Sequence, residues 1–282
     1  MKVASYLVGG TPAYGVVRGD GVVTVSHKLG KQYPSLGAIL RAGALHRIAT
    51  AAAGETPDVK VKDLTFLPVV WDPEKILLVG LNYEAHRIET GRDKTEHPSI
   101  FARFNSAQVG HNQPMLRPKV SERLDFEGEL ALVIGRRGRY IPRAEALDYV
   151  AGYACYNDGS VRDWQRHTTQ FTPGKNFPKT GGFGPYLVTP DEVGEVQNLD
   201  LETRLNGQVV QKTNTADMTY TVAHCIEYIS SFTELVPGDV ISTGTPSGVG
   251  AARKPPLWMK AGDVVEVEIG KVGLLRNPIA DE

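Results

Sequence analysis

Short apolar runs broken by Gly, Pro, Asn and Asp dominate the chain, the pattern of many strands joined by tight turns. Ala4–Val8 and Tyr14–Val17 predict strands, and Arg18-Gly19-Asp20-Gly21 predicts a hairpin turn before Val22-Val23. Pro34-Ser35 is a helix start signal, after which Leu36, Ile39, Leu40 and Ile48 recur at helical spacing. Val59–Phe66 predicts a returning strand, and Pro68–Pro73 a boundary. The expected division is a small N-terminal α+β domain over residues 1–72 and a larger catalytic one over 73–282.

Beyond the boundary, Ile76–Val79 and Leu130–Ile134 are continuous apolar runs of a length that suits buried strands. Ala144–Val150, after Pro142, predicts a short helix, Tyr153–Tyr156 a strand, and Ser160–His167 a helix capped by Asp158 or Ser160. Leu201–Leu205 and Gln208–Gln211 flank Asn206-Gly207, a strong type I′ hairpin signal. Val222, Cys225, Ile226 and Ile229 form the apolar face of the clearest helix, Thr221–Phe232. Val240–Thr243, Val264–Ile269 and Gly273–Arg276 predict the closing strands. Without regular βαβ alternation, the fold class is mainly β with short helices.

Composition narrows the function classes. Lys and Arg number 31 against 32 Asp and Glu, a net charge of -1, which lacks the cationic excess of a nucleic-acid binder. No apolar run approaches the ~18 residues of a membrane span, and the Met1–Gly10 start is too short in apolar residues for a signal peptide. Cys155 and Cys225 form no CxxC and no disulfide pattern, so free thiols and a cytoplasmic location are expected.

In Phe126-Glu127-Gly128-Glu129-Leu130, an extended backbone puts Glu127 and Glu129 on one face at the mouth of an apolar strand. Two such carboxylates repel each other unless they meet solvent or a divalent cation. Asp158 follows another strand and is either an N-cap or a third ligand. Three carboxylates without Cys or His suit a hard ion such as Mg²⁺ or Mn²⁺. His86 lies just after strand Ile76–Val79, with Glu89 and Glu96 both near enough in sequence to orient it as a general base. Lys175 sits in a Gly-Lys-Asn-Phe loop, and the glycine-rich Thr243–Gly250 could hold a carboxylate. No HExxH and no dinucleotide fingerprint is present.

Taken in order, a set of segments resembles the fumarylacetoacetate hydrolase family. They are Gly80-Leu81-Asn82-Tyr83 with His86, Glu127-Gly128-Glu129, Gly152-Tyr153 leading to Asn157-Asp158, Arg162-Asp163-Trp164-Gln165, Gly174-Lys175-Asn176-Phe177, Gly184-Pro185, Asn206-Gly207, Pro237-Gly238-Asp239 and Thr243-Gly244-Thr245-Pro246. The match covers about residues 75–280 and points toward its bacterial acylpyruvate hydrolase and 2-hydroxyhepta-2,4-diene-1,7-dioate isomerase members. The resemblance implies a mixed β-sandwich roll, a homodimer, and Mg²⁺ or Mn²⁺ on Glu127, Glu129 and Asp158. It implies His86 paired with a lid acid, placed nearest at Glu96, although His97 follows where Pro is expected. Lys175 matches the family's active-site lysine; Tyr83, Arg162, Gln165 and Thr245 match substrate contacts; Arg103 stands where many relatives carry Lys.

The implied reaction is hydrolysis of a C–C bond in a small 2,4-dioxo acid of the acylpyruvate or fumarylpyruvate type. His86 would activate water, Lys175 would stabilise the developing oxyanion, and the ion would hold the leaving pyruvate enolate. Oxaloacetate decarboxylation and 2-oxo-ene-dioate isomerisation would use the same site. A non-catalytic metal-stabilised binding protein is the remaining alternative.

Overall fold

The computed structural model describes residues 1–282. Two sheets carry the architecture. The larger runs, in spatial order, Val59–Lys60, Gly21–Thr24, Thr11–Arg18, Lys2–Val8, Gly181–Val188, Val150–Asn157, Gly128–Ile134, Val240–Ser242, Ile76–Gly80 and Ser99–Arg103. The smaller contains Gln208–Asn214, Asp200–Leu205, Val264–Ile269, Gly273–Asp281 and Met115–Arg117. The fold class read from the sequence, mainly β with short helices, holds.

Gly128–Ile134 is buried at every position, as a strand covered on both faces must be. One face, with Leu130, Leu132 and Ile134, packs on Cys225, Ile226 and Ile229 of helix Val222–Phe232 and on Val267 of the smaller sheet. The other, with Ala131 and Val133, meets Val3, Tyr14, Leu36 and Ile39 from the first seventy residues. The N-terminal strands thus extend the main sheet through Lys2–Val8 beside Gly181–Val188. Gly128 has its own reason: a Cβ there would collide with the Thr203 hydroxyl of the smaller sheet.

Several elements follow their local signals. Ser35 accepts the Ala38 N–H to start helix Leu36–Arg41, and Thr221 caps Val222–Phe232 through the His224 N–H. Asn206 and Gly207 take φ of 52° and 78° between paired Leu205 and Gln208, the twist a two-residue hairpin needs. Three predicted elements differ. Val59–Phe66 is interrupted by a 3₁₀ turn at Val61–Asp63, and the turn over Arg143–Tyr149 is 3₁₀ rather than α. Ser160–His167 splits into strand Ser160–Val161 and helix Arg162–Gln165, because Ser160 and Val161 pair with Asp125 and Leu124. No helix is long and apolar enough to cross a membrane.

Candidate active site

Strands Gly128–Ile134 and Val150–Asn157 run antiparallel, with Gly128 opposite Asn157 and Glu129 opposite Tyr156. The pairing continues one step further, where the Asp158 N–H donates to the Glu127 carbonyl at 2.9 Å. This register brings Asp158 to the two glutamates. Oxygens of Glu127, Glu129 and Asp158 lie within 4.8 Å of one another, and all three residues are buried.

Cations and backbone donors hold the cluster. Lys175 Nζ donates to Glu127 Oε2 at 2.5 Å and also to Asp158 Oδ2. Arg103 Nη1 donates to the other Asp158 oxygen at 2.5 Å and to the Gly159 carbonyl at 3.0 Å. Arg162 donates to Asp125 at 2.7 Å, to Glu127 at 2.6 Å and to the Gln165 side-chain oxygen at 2.9 Å. Glu129 differs: Ser242 Oγ and the Gly244 N–H both donate to its Oε2, and no cation pairs with it.

That asymmetry sets the proton affinities. Burial would raise Glu127, but Arg162, Lys175 and His86 hold its carboxyl well below the usual range. Burial, then the charges of Asp158 and Glu127, push Glu129 well above it. A hard divalent cation would relieve that repulsion, and the all-oxygen donor set suits one. The triad can therefore hold a divalent metal. Asp158 is no N-cap, since Lys175 and Arg103 bind its side chain.

A cavity of about 400 Å³ opens over the triad, bordered also by His86, Arg162, Gln165, Lys175 and Thr245. It is of ligand-site size. His86 stands on helix Glu84–Glu89, and its Nδ1–H donates to Glu89 Oε1 at 2.8 Å, three residues on. With Nδ1 fixed as donor, Nε2 carries the basic lone pair. Arg92 and Arg166 also border the cavity, and neither forms a salt bridge.

Not every expected residue arrives as expected. Glu96 is exposed and outside the cavity wall, so Glu89, the other acid considered, is the one that reaches His86. Tyr83 lies in the core rather than on the cavity, with its hydroxyl unpartnered and its pKa pushed up by burial. Thr245 borders the cavity, but its hydroxyl donates to the Gly128 carbonyl at 3.1 Å and accepts from Gln211 at 2.8 Å. Lys175 stands at the acidic pole rather than free in the cavity.

Asp125 was missed, although its signal is visible. Asp125-Phe126-Glu127-Gly128-Glu129 extends the same alternation by one step, and Asp125 anchors Arg162. Arg92 and Arg166 had no signal beyond being cations in loops.

A family model described as fumarylacetoacetate (FAA) hydrolase C-terminal matches residues 75–280. The mitochondrial oxaloacetate tautomerase FAHD2A of Bos taurus is 41% identical over 234 residues, covering 82% of this chain and 74% of that protein. The crystal structure of an HpcE-like protein of Mycobacterium smegmatis superposes with a TM-score of 0.90 at 35% identity, covering 99% of both chains. Maleylpyruvate hydrolase of a Sphingobium species, solved with manganese(II) and pyruvate, superposes with a TM-score of 0.83 at 28% identity, covering 100% of this chain and 99% of that one.

Proposed function

The chain belongs to the fumarylacetoacetate hydrolase family, and on that footing we propose that it is a divalent-metal-dependent hydrolase cleaving a C–C bond in a small 2,4-dioxo acid. One observation carries the reading: His86, with Glu89 bonded to its Nδ1, borders the same cavity as the buried triad.

Glu127, Glu129 and Asp158 would hold Mg²⁺ or Mn²⁺, which when bound supplies Lewis-acid polarisation of the 2-oxo acid oxygens. Glu89 keeps the His86 Nδ1 proton in place, so Nε2 takes a proton from water as general base. The resulting hydroxide adds to the distal carbonyl carbon. The bond between that carbon and its pyruvate-side neighbour breaks, leaving a carboxylic acid and the enolate of pyruvate. His86 then returns the proton to the enolate carbon, completing pyruvate. The Lys175 ammonium, beside Glu127 and Asp158, lies at the pole where enolate charge collects, and stabilises it there. This revises its expected role at the distal oxyanion.

A second reading is keto–enol tautomerisation of oxaloacetate. It needs only proton movement by His86, with no attacking water. The unpaired Arg92 and Arg166 beside the cavity favour a substrate with a second carboxylate, and the curated relative's name is in accord.

Pyruvate release from acetylpyruvate and maleylpyruvate, with and without EDTA and Mn²⁺, tests the first reading. The enol–keto change of oxaloacetate, followed by ultraviolet absorbance, tests the second. Metal-dependent pyruvate release establishes the hydrolase; tautomerisation without cleavage establishes the second reading. Silence on all substrates overturns both.

A further inference from the structure

The glycine-rich stretch expected to hold a carboxylate holds three of the protein's own. The Gly244 N–H donates to Glu129 Oε2 at 2.9 Å, and the Gly248 N–H to Glu89 Oε2 at 2.9 Å. The Gly250 and Ala251 N–H groups donate to the two Asp125 oxygens at 2.8 and 2.9 Å. One segment therefore touches a triad carboxylate, the acid that orients His86, and the acid that anchors Arg162.

Gly248 is the junction. Its φ of +102° is disfavoured for any side chain, and a Cβ would also collide with the Val210 carbonyl of strand Gln208–Asn214. Arg253 reaches both groups: its Nε donates to the Gly248 carbonyl at 3.1 Å and its Nη2 to the Val210 carbonyl at 2.7 Å. It forms no carboxylate pair, so its charge is spent on two backbone oxygens. The guanidinium fork fixes the spacing of loop and strand, and with it the place of Gly248, whose N–H in the preceding peptide unit meets Glu89.

We propose that Arg253 is a positioning residue for the general base, acting through the backbone of Gly248, whose carbonyl it holds and whose N–H binds Glu89, and through Glu89 on His86. The catalytic consequence rests on the function proposed above; the chain of hydrogen bonds does not. An unfixed Glu89 would let the imidazole change tautomer or swing away from the cavity, which lowers turnover without weakening substrate or metal binding.

The test is a double-mutant cycle with Arg253→Met and Glu89→Gln, reading kcat, KM and Mn²⁺ affinity. Arg253→Met is expected to lower kcat about ten-fold, within the coupling found between contacting residues, with KM and Mn²⁺ affinity unchanged. In the Glu89→Gln background it should cost nothing further, and Arg253→Lys should restore part of the loss. Equal losses in both backgrounds, or none in either, would overturn the proposal. The proton resonance of the His86 Nδ1–H gives a reading that needs no substrate: slow exchange in the wild type, fast exchange in Arg253→Met. Unchanged exchange overturns the relay even if the enzyme is active. A wild type silent on every 2-oxo acid overturns the function while leaving this arm to be read.

Discussion

The floor of the cavity and its roof are built by different means. The floor is the end of a paired strand ladder, where Asp125, Glu127, Glu129 and Asp158 are all buried and Arg103, Arg162, Lys175 and backbone N–H groups bind their oxygens. The roof is a six-residue helix, Glu84–Glu89, without a side-chain N-cap, followed by the exposed residues 91–97. Such a helix owes little to intrinsic stability and takes its place from tertiary contacts. The floor is preorganised for a fixed charge, whereas the roof is held through Glu89, which the Gly248 N–H binds.

The largest expected effect strikes the floor. Asp158→Asn keeps the shape but removes the charge that Arg103 and Lys175 face. Mn²⁺ binding measured by calorimetry should be lost, and kcat/KM should fall at least about 10³-fold, the loss expected on giving up several kcal/mol of charge stabilisation. Retained Mn²⁺ affinity in a folded variant would break the assignment of the triad. Against it stands His86→Ala on the roof. It should lower kcat by about 10²–10⁴-fold, the usual worth of a general base, while Mn²⁺ affinity stays as in the wild type. If both variants lose the metal, floor and roof are one unit and the comparison fails.

The same contrast explains what could be read in advance. Glu127 and Glu129 of the floor were legible because they alternate on a strand of period two, and because burying like charges demands a counterion. Asp158 was joined to them by the family resemblance, and the register of Gly128 with Asn157 gives the physical reason it lies there. Loop partnerships were not legible: the Gly248 N–H meets Glu89 across most of the chain, and no local pattern announces that. The hydroxyl of Tyr83 shows the opposite failure. A motif residue beside His86 in sequence turned into the core, where it has no hydrogen-bond partner.

Smaller effects should fall on recognition. Arg92 and Arg166 border the cavity with exposed guanidinium groups. Replacing either with Met should raise KM about ten-fold for a dicarboxylic substrate, the low end for a charge-assisted hydrogen bond, and leave KM for acetylpyruvate unchanged. An equal rise for both would show that these residues bind the shared 2-oxo acid end. The rim would then belong with the floor.

The smallest effect is expected at Glu96, and it bears most directly on how the roof works. Glu89 and Glu96 share charge and both follow His86 in sequence, yet only a spacing of three residues on one helix brings a carboxylate onto the imidazole. Glu89 has that spacing, and the Gly248 N–H holds its second oxygen. Glu96 projects from the exposed stretch after the helix and has no partner among the site residues. Glu96→Gln should therefore leave kcat, KM and the pH profile within about two-fold of wild type, as for a surface change, while Glu89→Gln lowers kcat. A loss of kcat at Glu96 comparable to that at Glu89 would mean that residues 91–97 fold over the substrate and bring a second acid to the cavity. The roof would then be a moving part of the catalytic machinery rather than a fixed support for one histidine.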